Sequence, residues 1–236
     1  MSQLPWLESG STTFPDTRTA LSDPNGLLAA GDTLSTDQLL AAYQKGIFPW
    51  FEDGQPVLWW SPSPRLVLQP EQLHISKSMK KALRRQQYSV TTDTCFEDVI
   101  RACAEPRDEQ DGTWITDEII EAYCKLHDLG FAHSVEVWEN DELVGGLYGI
   151  AMGKIFFGES MFSLASNASK TGFITLVENL KRLNYQLIDC QVHTDHLASL
   201  GATEISRVEF ENYLLNSIED IEYQPSWPTQ LSKPHP

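Results

Sequence analysis

The sequence contains few cysteines, and they form no recognisable metal or disulfide pattern. Cys95, Cys103, Cys124 and Cys190 include no CxxC pair and no histidine at zinc-ligand spacing. We therefore expect free, buried thiols in a reducing compartment, and no metal site.

Long hydrophobic runs are also missing. The longest uncharged apolar run, Leu143 to Met152, is far shorter than the roughly 20 residues that span a bilayer. The first residues, MSQLPWLESG, lack the basic and apolar regions of a signal peptide. The motifs GxGxxG, GxxxxGK[ST], GxSxG and HExxH are absent, which argues against nucleotide-driven, serine-hydrolase and zinc-protease chemistry. We expect a cytoplasmic protein with no membrane contact.

Basic charge is scarce overall but concentrated in one place. The formal net charge of −16 argues against general nucleic-acid binding, because phosphates would be repelled by most of the surface. Five of the 17 basic residues nevertheless lie within one short stretch. This basic helix contains Lys77, Lys80, Lys81, Arg84 and Arg85. Such a stretch is often only a solvated face, but on so acidic a chain it favours a phosphate contact.

The 236 residues, 41% of them hydrophobic, are enough for one large domain or an ordinary domain plus a small one. Capping residues predict helices that begin after Ser35, Ser76 and Thr116. Further helices are predicted over 96–104, 168–183, 196–200 and 209–215, and strands over 134–138, 143–151, 154–161 and 186–192. Such a mixture predicts an α+β fold.

Prolines and glycines indicate how the chain is divided. The first 30 residues are rich in Pro, Gly, Ser and Thr and are predicted to be irregular. The pair Pro62 and Pro64 suggests a boundary between a small N-terminal domain, residues 1–63, and a larger domain, residues 64–236.

Two polar residues alternate with apolar ones in the predicted strand that ends near Val192. Asp189 and Gln191 share one face, while Ile188 and Cys190 share the other. A polar pair on one face of a central strand indicates a hydrogen-bonded site beside a cleft. The same pattern also fits an edge strand with one solvated face.

Glu159 is a lone carboxylate within a strongly apolar strand. Burying an unpaired carboxylate is costly, so Glu159 needs a partner or an open site. A structural glutamate at a bulge or strand end beside Gly158 is the alternative.

Four tryptophans, Trp50, Trp59, Trp60 and Trp114, lie near Pro or Gly in sequence typical of loops. Exposed aromatic rings can stack on a nucleobase, which contributes about 1–3 kcal/mol per base. Packing against the protein's own core is the other interpretation.

These features together resemble the bacterial leucyl/phenylalanyl-tRNA–protein transferases, and the similar segments follow one another over most of the chain. The segments are Pro24–Leu28, Gly46–Phe51, Leu58–Pro62, His74–Lys80, Gly112–Thr116, Glu142–Gly146, Phe157–Ser163, Asn167–Lys170, Leu187–Val192, Thr194–His196 and Ala198–Ala202.

The resemblance implies a small N-terminal domain followed by an acetyltransferase-like (GNAT) domain with a mixed, largely antiparallel sheet. It implies transfer of Leu, Phe and, less well, Met from aminoacyl-tRNA to proteins that begin with Arg or Lys, which marks them for degradation through the N-degron pathway. No cofactor is implied, and we expect a monomer.

The resemblance also implies roles for particular residues. Trp50 and Trp114 would hold the terminal adenosine of the tRNA, and Glu159 would contact the amino group of the donor or of the acceptor. Asp189 and Gln191 would act on the attacking amine. The pocket for the transferred side chain would be lined by Leu147, Phe156, Phe173 and Leu176.

Two other functions fit parts of the pattern. An acetyl-CoA-dependent acetyltransferase would share the fold class, but it usually carries a (Q/R)xxGx(G/A) pyrophosphate loop, which is absent. A non-catalytic adapter that binds tRNA or peptide would not require Asp189 and Gln191 together.

Overall fold

Two β-sheets form the framework of the chain. The computed structural model describes residues 4–106, 113–218, 227 and 231. The strands are β1 Leu27–Gly31, β2 Phe48–Pro49, β3 Val57–Trp60, β4 Arg65–Leu68, β5 Ser89–Thr92, β6 Ala132–Glu139, β7 Glu142–Met152, β8 Ile155–Ser163, β9 Leu187–Gln191 and β10 Thr203–Ile205. The helices are α1 Thr36–Tyr43, α2 Lys77–Arg84, α3 Phe96–Ala104, α4 Asp117–Asp128, α5 Ala168–Arg182, α6 Asp195–Ser199 and α7 Arg207–Ser217.

The larger sheet contains seven strands in the order β10-β4-β9-β8-β7-β6-β5. Neighbouring strands are antiparallel except β8 and β9, which are parallel. Helix α5 connects these two parallel strands, because a parallel connection has to cross over the sheet. The prediction of an α+β fold with a mixed, largely antiparallel sheet is confirmed.

The smaller sheet has the order β1-β3-β2 and is antiparallel throughout. Its first strand corrects the expectation that the first 30 residues are irregular, because Leu28, Ala29 and Ala30 are buried in β1. Its central strand β3 contains Trp59 and Trp60. The prediction that these two tryptophans lie in loops is therefore wrong. Trp59 is fully buried and belongs to the core.

Apolar side chains form one core on each face of the larger sheet. Successive residues of β8 show the division, since Phe157 belongs to the first core and Phe156 to the second. The first core also includes Leu28 and Trp59 of the smaller sheet, so it runs through both sheets without interruption. The second core contains residues of α2 and α5.

The proposed division of the chain at residues 63 and 64 falls between the two sheets. The smaller sheet ends at Trp60, and the larger begins at Arg65. Because one core is common to both sheets, the domain limits 1–63 and 64–236 stay a prediction. Apart from Trp227 and Leu231, the tail after Ile218 lies outside the described residues.

Local sequence signals account for most helix starts. The side chains of Ser35, Ser76 and Thr116 each accept a backbone N–H bond at the start of a helix, and Ser35 forms a reciprocal capping box with Gln38. Within the described ranges no helix is long and apolar enough to cross a membrane.

The cysteines are free, but their burial differs from the expectation. Only Cys103 is buried, whereas Cys95, Cys124 and Cys190 are partly exposed.

Candidate active site

A cleft opens where the parallel strands β8 and β9 separate. Their register runs from Ile155 and Leu187 to Phe157 and Asp189 and ends there. Strand β8 has an irregularity next to this point, because Tyr148 pairs with Ser160 but Gly149 pairs with Gly158. Glu159 is therefore the extra residue of a β-bulge, a distortion that commonly redirects a side chain beside an active site.

Strand β9 is also irregular at the cleft. Leu66 pairs with Gln191 but Val67 pairs with Asp189, and Gln191 has a φ of 61°. A positive φ is uncommon for a residue other than glycine and carries a cost in conformational energy. The two distortions direct Glu159 and Gln191 into the gap between the strands.

The cleft has a volume of about 1620 Å³ and collects most of the residues predicted from the sequence. Those among its lining are Trp50, Trp114, Leu147, Phe156, Glu159, Phe173, Asp189 and Gln191. Leu176 is not among them, because it is fully buried in the second core. The five residues of the basic helix are exposed and lie outside the lining as well.

A buried ion pair that the sequence analysis missed supports the floor of the cleft. Arg65 Nε and Nη2 donate to Asp189 Oδ1 and Oδ2 at 2.8 and 2.6 Å. The two side chains are 1% and 0% exposed. The guanidinium also lies over the rings of Phe48 and Phe210, each at 4.7 Å, as in cation–π pairs. The only signal in the sequence was an arginine at the start of an apolar strand.

The Asp189 carboxylate contacts the backbone of Gln191 and not the Gln191 side chain. Asp189 Oδ1 accepts a bond from the backbone N–H of Gln191 at 2.9 Å. Both residues line the cleft, but Asp189 is fully buried and neutralised by Arg65, and the prediction that they share one face stays a prediction. By accepting the backbone N–H of Gln191, the Asp189 carboxylate stabilises the positive φ of that residue.

Glu159 is the centre of a hydrogen-bond network on the floor of the cleft. Its Oε1 accepts from Gln191 Nε2 at 2.9 Å, and its Oε2 accepts from the Tyr123 hydroxyl at 3.1 Å. The hydroxyls of Tyr43 and Tyr123 are 2.5 Å apart. Glu159 is partly exposed, but its carboxylate is surrounded by protein. Removal from water raises the pKa of Glu159 to about 7, and hydrogen bonds from Tyr43 and Tyr123 limit the increase.

The network fixes the orientation of the Gln191 amide. The Gln191 amide NH₂ faces Glu159, and this is the orientation that an ionised carboxylate requires, because it can only accept hydrogen bonds. The amide oxygen of Gln191 is then directed to the other side, where it can accept a proton donor of a substrate. Sequence analysis missed the tyrosines of this network, because they come from α1 and α4, far from Glu159 in the chain.

One further tyrosine lines the cleft with an unused polar group. Tyr148 is fully buried, and within the described residues its hydroxyl has no hydrogen-bond partner. An unpaired buried hydroxyl costs about 1–3 kcal/mol. The Tyr148 hydroxyl is therefore available to form a hydrogen bond with a molecule bound in the cleft.

The mouth of the cleft combines an aromatic surface with negative charge. Trp50 is 45% exposed and packs against Trp60 with ring centroids 5.5 Å apart. Trp60 Nε1 donates to the backbone oxygen of Trp50 at 2.7 Å, which holds the Trp50 backbone in place. Three carboxylates, Glu52, Asp53 and Glu105, also line the cleft, and the described part of the lining includes no Lys or Arg.

Metal ligation finds no support in the described residues. Among them no group of three or more His, Cys, Asp or Glu side chains is arranged to hold an ion.

The matching family models and the similar proteins have the same description. The family model described as leucyl/phenylalanyl-tRNA protein transferase matches residues 67–215, and the model of its N-terminal domain matches residues 32–63. A Pseudomonas fluorescens (strain Pf0-1) protein named leucyl/phenylalanyl-tRNA–protein transferase is 60% identical over 216 residues, which cover 92% of this chain and 96% of its own. A Cellvibrio japonicus (strain Ueda107) protein of the same name is 58% identical and covers 92% of each chain.

Solved structures are more distant. The structure titled "The structure of L-PGS from Bacillus licheniformis" superposes with a TM-score of 0.39 at 13% identity, over 73% of this chain and 57% of that one. A GCN5-related N-acetyltransferase from Kribbella flavida gives 0.34 at 12% identity, over 71% and 60%.

We predict that Arg65→Met destabilises the protein by about 3–5 kcal/mol, because it leaves the Asp189 carboxylate buried without its partner. The double variant Arg65→Met/Asp189→Leu should recover most of this loss, since no unpaired charge is then left. Urea unfolding measures the free energy of unfolding of the single and the double variant. The matched control is Arg18→Met, which breaks an exposed pair with Asp16 and should leave the unfolding midpoint unchanged. Additive losses in the double variant would contradict this prediction.

We also predict a pH dependence of stability that Glu159 causes. Because the pKa of Glu159 is raised to about 7 in the folded state, the protonated form favours folding, and this stabilisation is lost between about pH 4.5 and pH 7 as the group ionises. Glu159→Gln should therefore gain about 1–2 kcal/mol over the original protein from pH 5 to pH 8, since one pKa unit is about 1.4 kcal/mol and water in the cleft screens part of it. Urea unfolding at the two pH values tests this. A constant difference would show that Glu159 does not titrate there.

Proposed function

The chain belongs to the leucyl/phenylalanyl-tRNA–protein transferase family, and we propose that it moves leucine or phenylalanine, and methionine less readily, from aminoacyl-tRNA to proteins that begin with Arg or Lys. The chain is thus an aminoacyltransferase. We propose that it works in the cytoplasm and marks its acceptors for the N-degron pathway. The observation that carries the proposal is the Glu159–Gln191 pair at the strand separation, next to a buried apolar pocket.

The apolar part of the cleft suits the transferred side chain. Leu147, Phe156 and Phe173 all line it and are at most 4% exposed. Burial of a Leu or Phe side chain contributes about 1.5–3 kcal/mol, which favours these donors over polar ones. Such a pocket discriminates by only about 1–3 kcal/mol per methylene, so methionine should also be accepted, less well.

Two tryptophans of the cleft lining, Trp50 and Trp114, suit the terminal adenosine of the donor. Trp50 is exposed, as a stacking surface has to be, and both Trp50 and Trp114 line the cleft. Stacking tolerates any base, so the specificity for the donor has to come from the amino acid and the rest of the tRNA.

The charge of the cleft suits a cationic acceptor. In addition to the buried Asp189, four acidic residues line it: Glu52, Asp53, Glu105 and Glu159. No Lys or Arg is found in the described lining to oppose an incoming Arg or Lys terminus. Fields of this sign raise the local concentration of a positively charged chain terminus.

The chemistry requires no further activation of the donor. The neutral α-amine of the acceptor attacks the ester carbonyl, an amide bond forms, the ester C–O bond breaks, and the proton from the amine is transferred overall to the released ribose hydroxyl. The α-amine has a pKa of about 7.7–8.0, so a useful fraction is neutral near pH 7. The protein contributes orientation and electrostatics.

Gln191 is the group that we assign to the attacking amine. Its amide oxygen can accept a hydrogen bond from the amine but cannot keep the proton. Glu159 orients the amide, and Asp189 with Arg65 fixes the backbone of Gln191. Asp189 is therefore a positioning residue rather than a group that touches substrate.

The basic helix suits the body of the tRNA. Four of its five cationic side chains belong to α2 and the fifth, Arg85, caps the end of that helix; all five are exposed, and none lines the cleft. A tRNA whose 3′ end enters the cleft would extend beyond it, so phosphates rather than bases would contact α2.

We predict that the purified protein transfers labelled leucine from Leu-tRNA to a peptide that begins with Arg, and that Gln191→Ala slows single-turnover transfer about 10²-fold or more by removing the orienting acceptor. Cys190→Ala should keep its activity, because burial raises the pKa of the Cys190 thiol and opposes formation of a thiolate. Acetyl-CoA should not serve as donor.

Three outcomes of this assay would contradict the assignment. Transfer of acetyl groups would indicate an acetyltransferase, and binding without transfer would indicate an adapter. An inactive but folded Cys190→Ala variant would indicate an acyl-thiol intermediate.

We predict that replacing all five residues of the basic helix with Ala weakens donor binding and flattens its salt dependence. Each lost phosphate contact should reduce the slope of log K against log salt by about 0.7–0.9. Transfer from a minimal aminoacyl-adenosine donor should be unchanged, because that donor lacks the distant phosphates. The control is Lys181→Ala/Arg182→Ala, two exposed cationic residues at the end of α5. Equal losses with both donors would show that α2 does not contact tRNA.

A further inference from the structure

Trp227 is a buried tryptophan that comes from outside the part of the chain matched by the family. The match to the transferase model ends at residue 215. Trp227 is nevertheless only 9% exposed and belongs to the second core, together with Leu147, Phe156 and Phe173. A residue of the C-terminal tail therefore packs with the apolar residues that line the cleft.

The indole of Trp227 is held by three contacts. It stacks on the His133 ring with centroids 4.2 Å apart and an angle of 11°. It also stacks on Phe156 with centroids 5.6 Å apart and an angle of 23°. Its Nε1 donates to Thr92 Oγ1 at 2.5 Å. Two stacked rings and a hydrogen bond leave the indole little freedom to move.

The backbone explains how Phe156 extends between the cleft and Trp227. A Cβ atom at Gly149 would lie 2.5 Å from Cζ of Phe156, so the ring lies directly on the bare backbone of β7. Gly149 is paired with His133 of β6, on which Trp227 stacks. The Phe156 ring thus contacts the cleft and also contacts the indole.

We propose that Trp227 sets the depth of the pocket for the transferred side chain by fixing the position of Phe156. This inference rests on the proposed function, in which Phe156 lines the donor pocket. Protein interiors are close-packed, so the Phe156 ring can move away from the cleft only if the Trp227 indole is displaced or replaced by a smaller group. A smaller residue at 227 leaves space behind Phe156, and the ring can then retreat to admit a larger donor side chain.

The experiment compares kcat/KM for Leu-tRNA and Phe-tRNA in the full-length protein and its variants. One methylene in an apolar pocket changes selectivity by about 10-fold or more, and Trp227 acts through another residue, so Trp227→Leu should raise the Phe/Leu ratio by about 3- to 10-fold. Trp227→Phe keeps a ring stacked on Phe156 but loses the hydrogen bond to Thr92, so it should raise the ratio less than Trp227→Leu does. Ile100→Val, in the first core on the other face of the sheet, is the control for a general loss of stability.

The outcomes separate this inference from the proposed function. Transfer with an unchanged ratio in a folded Trp227→Leu variant, or the same change in Ile100→Val, would overturn the inference and leave the transferase assignment intact. If the original protein transferred neither leucine nor phenylalanine, both the inference about Trp227 and the proposed function would be contradicted. If Trp227→Leu fails to fold, Thr92→Val removes the acceptor of the indole N–H and should shift the ratio in the same direction; a constant ratio there would likewise overturn the inference.

Discussion

The buried pair between Arg65 and Asp189 is the interaction on which the rest of the site depends. It joins neighbouring strands β4 and β9, and its guanidinium is held between Phe48 of the smaller sheet and Phe210 of α7. Removing two charges from water costs several kcal/mol per ion, and only good geometry and further hydrogen bonds offset that cost. Here Asp189 also accepts the backbone N–H of Gln191. The same carboxylate therefore joins distant parts of the fold and holds the backbone of Gln191 in place.

The separation of β8 and β9 follows from local distortions rather than from an inserted loop. An extra residue in β8 and a positive φ in β9 end the parallel register and direct Glu159 and Gln191 toward each other. The gap combines apolar walls with a hydrogen-bonded floor. Removal of the Glu159 carboxylate from water raises its pKa, and the hydrogen bonds of the floor limit that increase.

Local patterns allowed part of this arrangement to be predicted. Capping residues located helices, because this signal depends on neighbours in sequence. The alternation in β9 drew attention to Asp189 and Gln191, and both line the cleft. The partners of the site were missed, since Arg65 and Tyr123 reach it only through the tertiary fold. Strands β1 to β3 were missed because they are short and lie near prolines and glycines. Leu176 was assigned to the pocket, but it faces the interior of the second core.

The core that runs through both sheets has a consequence for the evolution of the chain. Leu28 and Trp59 of the smaller sheet pack in the same core as Phe157, which stands next to the cleft-lining Phe156. A module that shares its interior with its neighbour cannot be exchanged between proteins by recombination without exposing apolar surface on both. Substitutions in either sheet have to be compensated in the other. The two parts of this chain should therefore descend together, as a single unit of inheritance.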